Sequence, residues 1–195
     1  MAHHIYHTRG IILGSVPIGE SNRFYKIFTE ELGLVGASAQ AIREGKSKLR
    51  YALQNYSWIF VDLVRGKEVW RITSAREEDV GVVVKHNGNL LKPFARICAL
   101  VLRLVHGEVR DDALFQELLN VAKFLDLGII PGKLVASFEA LVAVRILVQQ
   151  GYLEPIPYQK YVNTREFSVE MLEAFEPLCA QAIIDINNAL HESHL

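Results

Sequence analysis

The feature that most constrains this chain is a change of hydrophobic period, which falls between Ala75 and Asn89. Before it, apolar and polar residues alternate in short runs; after it, apolar residues recur every three or four positions. A period of two places like side chains on one face of a strand, and a period near 3.6 does the same for a helix. A chain patterned in this order folds as a β part followed by an α part.

The β part reads as five strands. Ile11-Ile-Leu13 is a short apolar run ended by Gly14. In Asn22 to Thr29, the residues Phe24, Lys26 and Phe28 fall on one face, and Tyr25, Ile27 and Thr29 on the other. Leu34 to Ile42 is a third extended segment. Ser57–Val64 and Glu68–Thr73 are two more, and Arg65-Gly66-Lys67 between them has hairpin length, with Gly66 free to take positive φ. Trp58 and Phe60 share a face, which the sequence leaves unoriented. A helical turn is expected between Lys48 and Tyr56. Five short strands in this space suit a small closed barrel such as the OB-fold.

The α part divides at its breakers. Leu90 to His106 carries an apolar stripe, with Gly107 placed to cap it. Asp111-Asp112 caps the next helix, which stops at Gly128. Lys133 to Gln150 is apolar nearly all round and belongs at the centre. Ser168 caps a last helix with Val169, Leu172, Phe175, Cys179, Ile183, Ile186 and Leu190 as its stripe, and Pro177 kinks it or marks a late start. The expected fold class is α+β, with an OB-fold nucleic-acid-binding domain over residues 1–80 and an all-α helical domain over 81–195.

Half the residues are hydrophobic, enough for a core without disulfides or metal. No apolar run reaches membrane-spanning length, and the N-terminus lacks a signal-peptide stretch, so a cytoplasmic address is expected. Cys98 and Cys179 form no CxxC pair, so neither a zinc site nor another cofactor is expected, and both read as reduced thiols. Phosphate-loop, HExxH and GxSxG motifs are missing, and Glu30-Glu31, adjacent at a strand end, point apart and make a poor acid/base pair. These readings predict a binding protein, not an enzyme.

The residues that suggest a ligand are basic. Net charge is -1 overall, with 11 basic and 9 acidic residues in the first 80 positions and 10 and 13 in the rest. Local clustering says more than the totals. Arg43, Lys46, Lys48 and Arg50 fall within eight positions around the supple Gly45, and Arg23, Lys26, Arg65 and Lys67 extend the candidate DNA-binding set. Such cations bind phosphates and release counterions. Phe24, Tyr25, Tyr51, Tyr56, Trp58 and Trp70 lie near them in sequence. Single-strand binders pair a basic groove with stacking aromatics. The competing readings are a solvated basic loop and aromatics committed to the barrel core.

The order of motifs resembles the bacterial RecO recombination-mediator family. Gly10-Ile-Ile-Leu13, Gly19-Glu20-Ser21, Phe28-Thr-Glu-Glu-Leu-Gly33 and Ser47-Lys-Leu-Arg50-Tyr-Ala-Leu-Gln54 are similar to its N-terminal signature. Leu114-Phe-Gln-Glu-Leu-Leu119 and Val144-Arg-Ile-Leu-Val-Gln-Gln-Gly151-Tyr-Leu153 resemble its helical-domain motifs. The resemblance implies a DNA repair protein that binds single- and double-stranded DNA, anneals strands and engages the C-terminal tail of the single-stranded-DNA-binding protein. With RecR it would help load RecA. An acidic tail needs a cation beside an apolar slot, for which Arg96, Arg103 and Arg145 are the candidates, with burial or helix-surface pairing as the competing reading. Many members carry a four-cysteine zinc module after the Gly-Tyr-Leu motif; here Glu154 to Phe167 has no cysteine, and Ile156, Tyr158, Tyr161 and Val162 are left to hold that segment by packing. The alternative function is a protein-interaction adaptor of the same fold without DNA binding.

Overall fold

The structure, a computed structural model, describes residues 4–42 and 49–193. The strands are β1 (Ile5–Ile18), β2 (Asn22–Thr29), β3 (Gly33–Ala39), β4 (Trp58–Arg65) and β5 (Trp70–Glu77), with a short helix α1 (Leu49–Ala52) before β4. They close into a barrel in the order β1-β2-β3-β5-β4. All neighbours are antiparallel except β3 and β5, whose parallel pairs Ala37–Trp70 and Ser38–Arg71 complete the closure. This is the five-stranded OB-type barrel followed by helices that the pattern predicts.

The short run around Ile11 is part of a 14-residue strand. β1 pairs with β4 through Ile5–Ile11 and with β2 through Gly10–Ile18, and a bulge between Ile12 and Gly14 lets it turn from one partner to the other. Neither partner is visible in the local sequence, so its true length is not.

The barrel interior is filled by Ile12, Tyr25, Ile27, Val35, Ala37, Ile59, Val61, Leu63, Trp70 and Ile72, following the period-two alternation of each strand. Ile59 and Val61 therefore point in, and Trp58 and Phe60 point out. Trp58 is nonetheless fully buried, because Phe115 meets it edge-on at 5.4 Å and also packs on Phe28 at 6.0 Å.

Gly66 departs from expectation: it is not among the positive-φ residues. Its lack of a side chain serves a close approach, since a Cβ there would lie 2.4 Å from the Val69 carbonyl oxygen, which accepts from the Gly66 N–H at 3.1 Å. Gly33 does need its freedom, with φ of 68° and a would-be Cβ 2.1 Å from the Val109 oxygen. The turn before it is closed by Thr29, whose hydroxyl donates to the Gly33 carbonyl at 2.9 Å and accepts from the Leu32 N–H at 3.0 Å.

The helices are α2 (Val82–His86), α3 (Gly88–Leu104), α4 (Asp112–Asp126), α5 (Val135–Gln149), α6 (Gln159–Val162), α7 (Val169–Phe175) and α8 (Cys179–Glu192). Two compact units result: residues 1–82 with 105–115, and 83–104 with 116–195. The return of 105–115 to the barrel unit is marked by the Leu34 N–H donating to the Gly107 carbonyl.

In the helical unit α5 is the hub, packing against α3, α6, α7 and α8. Asp111 caps α4 by accepting from the Leu114 N–H at 2.9 Å, and Ser168 caps α7 by accepting from the Met171 N–H at 3.1 Å. Pro177 lies in a 3-10 turn that separates α7 from α8. That break rotates the stripe: α8 buries Ala182 and Ala189 and leaves Ile183 exposed.

The cysteine-free segment is held by two tyrosines. Tyr158 packs on Phe175 and donates to Asp185 at 2.6 Å, and Tyr161 meets Phe175 edge-on and donates to the Ala174 carbonyl at 2.8 Å. Ile156, expected to help, is exposed instead. Among the described residues no helix is long and apolar enough to cross a membrane, and no three His, Cys, Asp or Glu side chains gather to hold a metal.

Candidate nucleic-acid interface

The outer wall of β2, β3 and β5 carries Lys26 and Arg71, which have no carboxylate partner among the described residues. β2 alternation sends Tyr25 and Ile27 inward and Phe24 and Lys26 outward. Across the sheet the outward row runs from Val16 to Phe24, Ser38 and Arg71, each a direct cross-strand neighbour of the last. Lys67 is exposed in the β4–β5 turn, which precedes Trp70 at the start of β5.

Arg23, at the start of β2 and paired with Ala39, has the inward parity of Tyr25 and Ile27; it is half-buried at the barrel's end, and its Nε has no hydrogen-bond partner. Lys26 is exposed, its Nζ 5.6 Å from the centre of the Phe24 ring. Arg71 is exposed and donates to the Gln40 side-chain oxygen at 3.2 Å. Among the described residues, none of Arg23, Lys26, Lys67 or Arg71 has a carboxylate within ion-pair distance. An anion approaching this wall meets positive charge that no fixed neighbour cancels.

The other candidates fall in several places. Arg43, Lys46 and Lys48 lie outside the described residues. Arg50 is exposed on α1. Arg65 is exposed but pairs with Glu108 at 2.8 Å, and Glu108 also accepts from Trp70 Nε1 at 2.9 Å. Part of the Arg65 charge is therefore already satisfied. Arg71 was not among the sequence candidates. The alternation Trp70-Arg71-Ile72 was the signal for its outward direction; its place beside Ser38 follows from the β3–β5 closure alone.

The aromatics sort by burial. Tyr25, Trp58 and Trp70 are buried, Phe24 on β2 and Tyr56 are half-buried, and Tyr51 on α1 is 74 % exposed.

The helical unit contains a groove of about 520 Å³ lined by Phe124, Leu127 and Phe167 with the cations Lys123 and Arg165, the carboxylate Glu166 and the amides Gln116 and Asn120. It meets the requirement of an apolar slot with cations, but with different cations from those expected. Arg96 makes a bidentate pair with Glu139. Arg145 is 5 % exposed, donates to Glu117 at 2.9 Å and lies 4.3 Å from the centre of the Phe167 ring, so it is buried where a solvent-borne peptide cannot reach it. Burial holds the Glu117 carboxyl above its ordinary range, against the pull of Arg145, and burial likewise lowers Arg145. Arg103 is exposed.

Comparison with known proteins agrees with this architecture. Residues 1–77 match the family model described as Recombination protein O N terminal. The chain is 29 % identical over 149 residues to a DNA repair protein RecO of Dehalococcoides mccartyi strain CBDB1, covering 76 % of this chain and 57 % of that protein. It is 28 % identical over 148 residues to DNA repair protein RecO of Rubrobacter xylanophilus, covering 76 % and 58 %. Over 115 residues it is 30 % identical to DNA repair protein RecO of Gloeothece citriformis, covering 59 % and 40 %. The chain thus spans about half the length of the curated relatives it matches. The first 77 residues thus resemble the N-terminal part of RecO proteins, and the likeness to DNA repair proteins of that name extends beyond them.

Proposed function

We propose that this chain acts in DNA repair and recombination by binding, without bond chemistry of its own. Residues 1–80 form the DNA-binding domain, and the outer wall of β2, β3 and β5 holds phosphates of single or double strands through Arg23, Lys26, Lys67 and Arg71, with Arg50 and the basic loop Arg43, Lys46 and Lys48 as further contacts. The observation that supports this most directly is the absence of carboxylate partners for the four cations among the described residues. The β2–β3 face and its flanking loops are also the surface OB-folds use for oligonucleotides. Screening the mutual repulsion of two strands would let them anneal.

Residues 81–195 serve partners. The groove beside Lys123 and Arg165 suits an acidic, apolar peptide such as the tail of the single-stranded-DNA-binding protein. Work with RecR to load RecA follows from the family likeness.

The test is a salt titration of oligonucleotide affinity. Each phosphate contact contributes about 0.7–0.9 to the slope of log K against log salt, so replacing Arg23, Lys26, Lys67 and Arg71 with Ala lowers the slope by about 3. Binding falls for all sequences alike. An unchanged slope removes this wall from the reading.

A further inference from the structure

We propose that Phe24 is a base-stacking platform that makes the β2–β3 wall prefer unpaired strands to duplex; this rests on the DNA-binding reading above and adds strand selection to it. Cations alone cannot supply that preference, because both forms present phosphates. A ring can, because an unpaired base exposes a π-face and a base inside a duplex has both faces covered by its neighbours.

Phe24 is positioned for this by its neighbours. The tip of its ring sits over Gly36, where a Cβ would lie 2.5 Å from Cζ and 3.3–3.4 Å from the two Cε atoms. Only glycine admits the ring so close to the β3 backbone, and the contact fixes the ring's direction before any ligand arrives. The residues directly across from Phe24 are Val16 and Ser38, both short. Among the described residues the only cation over the ring is Lys26, exposed and on a flexible stem, which can swing to a phosphate as a base takes its place. Arg71 ends the same outward row beyond Ser38, so a strand whose base rests on Phe24 has Lys26 and Arg71 within the same face for its backbone.

An aromatic shielding a strand glycine is also a packing device, and the experiment separates the two roles. Affinities of the full chain are measured by fluorescence anisotropy for an oligo-dT single strand and for a hairpin duplex with the same number of phosphates. Phe24→Leu keeps an apolar cover over Gly36 but removes the π-face. It is expected to weaken single-strand binding about 5- to 150-fold, leaving duplex binding within about twofold and the melting temperature unchanged. Phe24→Trp restores single-strand affinity. Gly36→Ala, which drives the ring tip away, lowers single-strand affinity and spares the duplex. Equal loss on both substrates, or wild-type single-strand binding by Phe24→Leu, overturns the platform. If Phe24→Leu is silent while the four cation replacements weaken both substrates, the stacking proposal falls and the DNA-binding reading stands.

Discussion

Lys26, Arg9 and Arg145 each lie over an aromatic ring, and they differ in what else the cation touches. Lys26 lies over Phe24 on the exposed barrel wall with no carboxylate beside it among the described residues. Arg9 lies 5.9 Å from Phe60 on another part of the barrel, where Glu78 accepts from it at 2.6 and 3.0 Å and Glu30 stands 3.9 Å away. Arg145 lies over Phe167 in the helical unit, buried and paired with Glu117. A cation on a ring is therefore ambiguous by itself. Where a carboxylate closes the group, the charge holds the fold together; where none does, the charge remains for a ligand. The Arg9 site shows the middle case: Glu78 keeps its guanidinium charged and raises its pKa.

The strongest way to break this contrast is at the buried end. Glu117→Ala leaves Arg145 charged and unpartnered in the interior, and a stability loss of about 3–5 kcal/mol is expected in thermal or urea unfolding. DNA affinity of the molecules that remain folded should not move; a matching loss of affinity would show that the helical unit shares the interface. Next is Glu78→Gln, which weakens a partly buried bidentate pair. It should lower stability by about 1.5–3 kcal/mol and leave the salt slope of DNA binding unchanged.

The helical unit has an alkaline weakness at Tyr158. Burial, and then the bond to Asp185, raise the pKa of Tyr158. A group with a raised folded pKa stabilises below its unfolded value, roughly 10 for tyrosine, and loses that contribution as pH climbs past it. Tyr158→Phe should cost about 1 kcal/mol near neutrality. Its stability curve should converge on wild type above pH ~10, as measured by unfolding across pH; parallel curves would contradict this. The smallest effect sharpens the contrast from the other side. Glu108→Gln keeps an acceptor for Trp70 and releases Arg65, changing stability by less than about 1 kcal/mol. Oligonucleotide binding should tighten a few-fold, with a slope steeper by about 0.7–0.9 if Arg65 finds a phosphate.

Much of the fold was written in local pattern. Period-two alternation put Tyr25 and Ile27 on one face and Lys26 on the other, and the capping residues Asp111 and Ser168 began helices where expected. These succeed because alternation and capping involve residues a few positions apart. The failures share one cause, which is a partner far along the chain. Trp58 faces outward yet is buried because Phe115 covers it, and Arg71 joins the wall because β5 closes beside β3. Arg145, offered as a peptide contact, is buried because α4 brings Glu117 to it from 28 positions away.

The sequence by itself determined the division into strands and helices, which residues of each strand share a face, and the likeness to RecO proteins. Those properties follow from short-range sterics and from the order of motifs. Only the tertiary structure decided which cations are cancelled and which remain open, because a charge is neutralised by whatever carboxylate the fold brings within about 4 Å, regardless of separation along the chain.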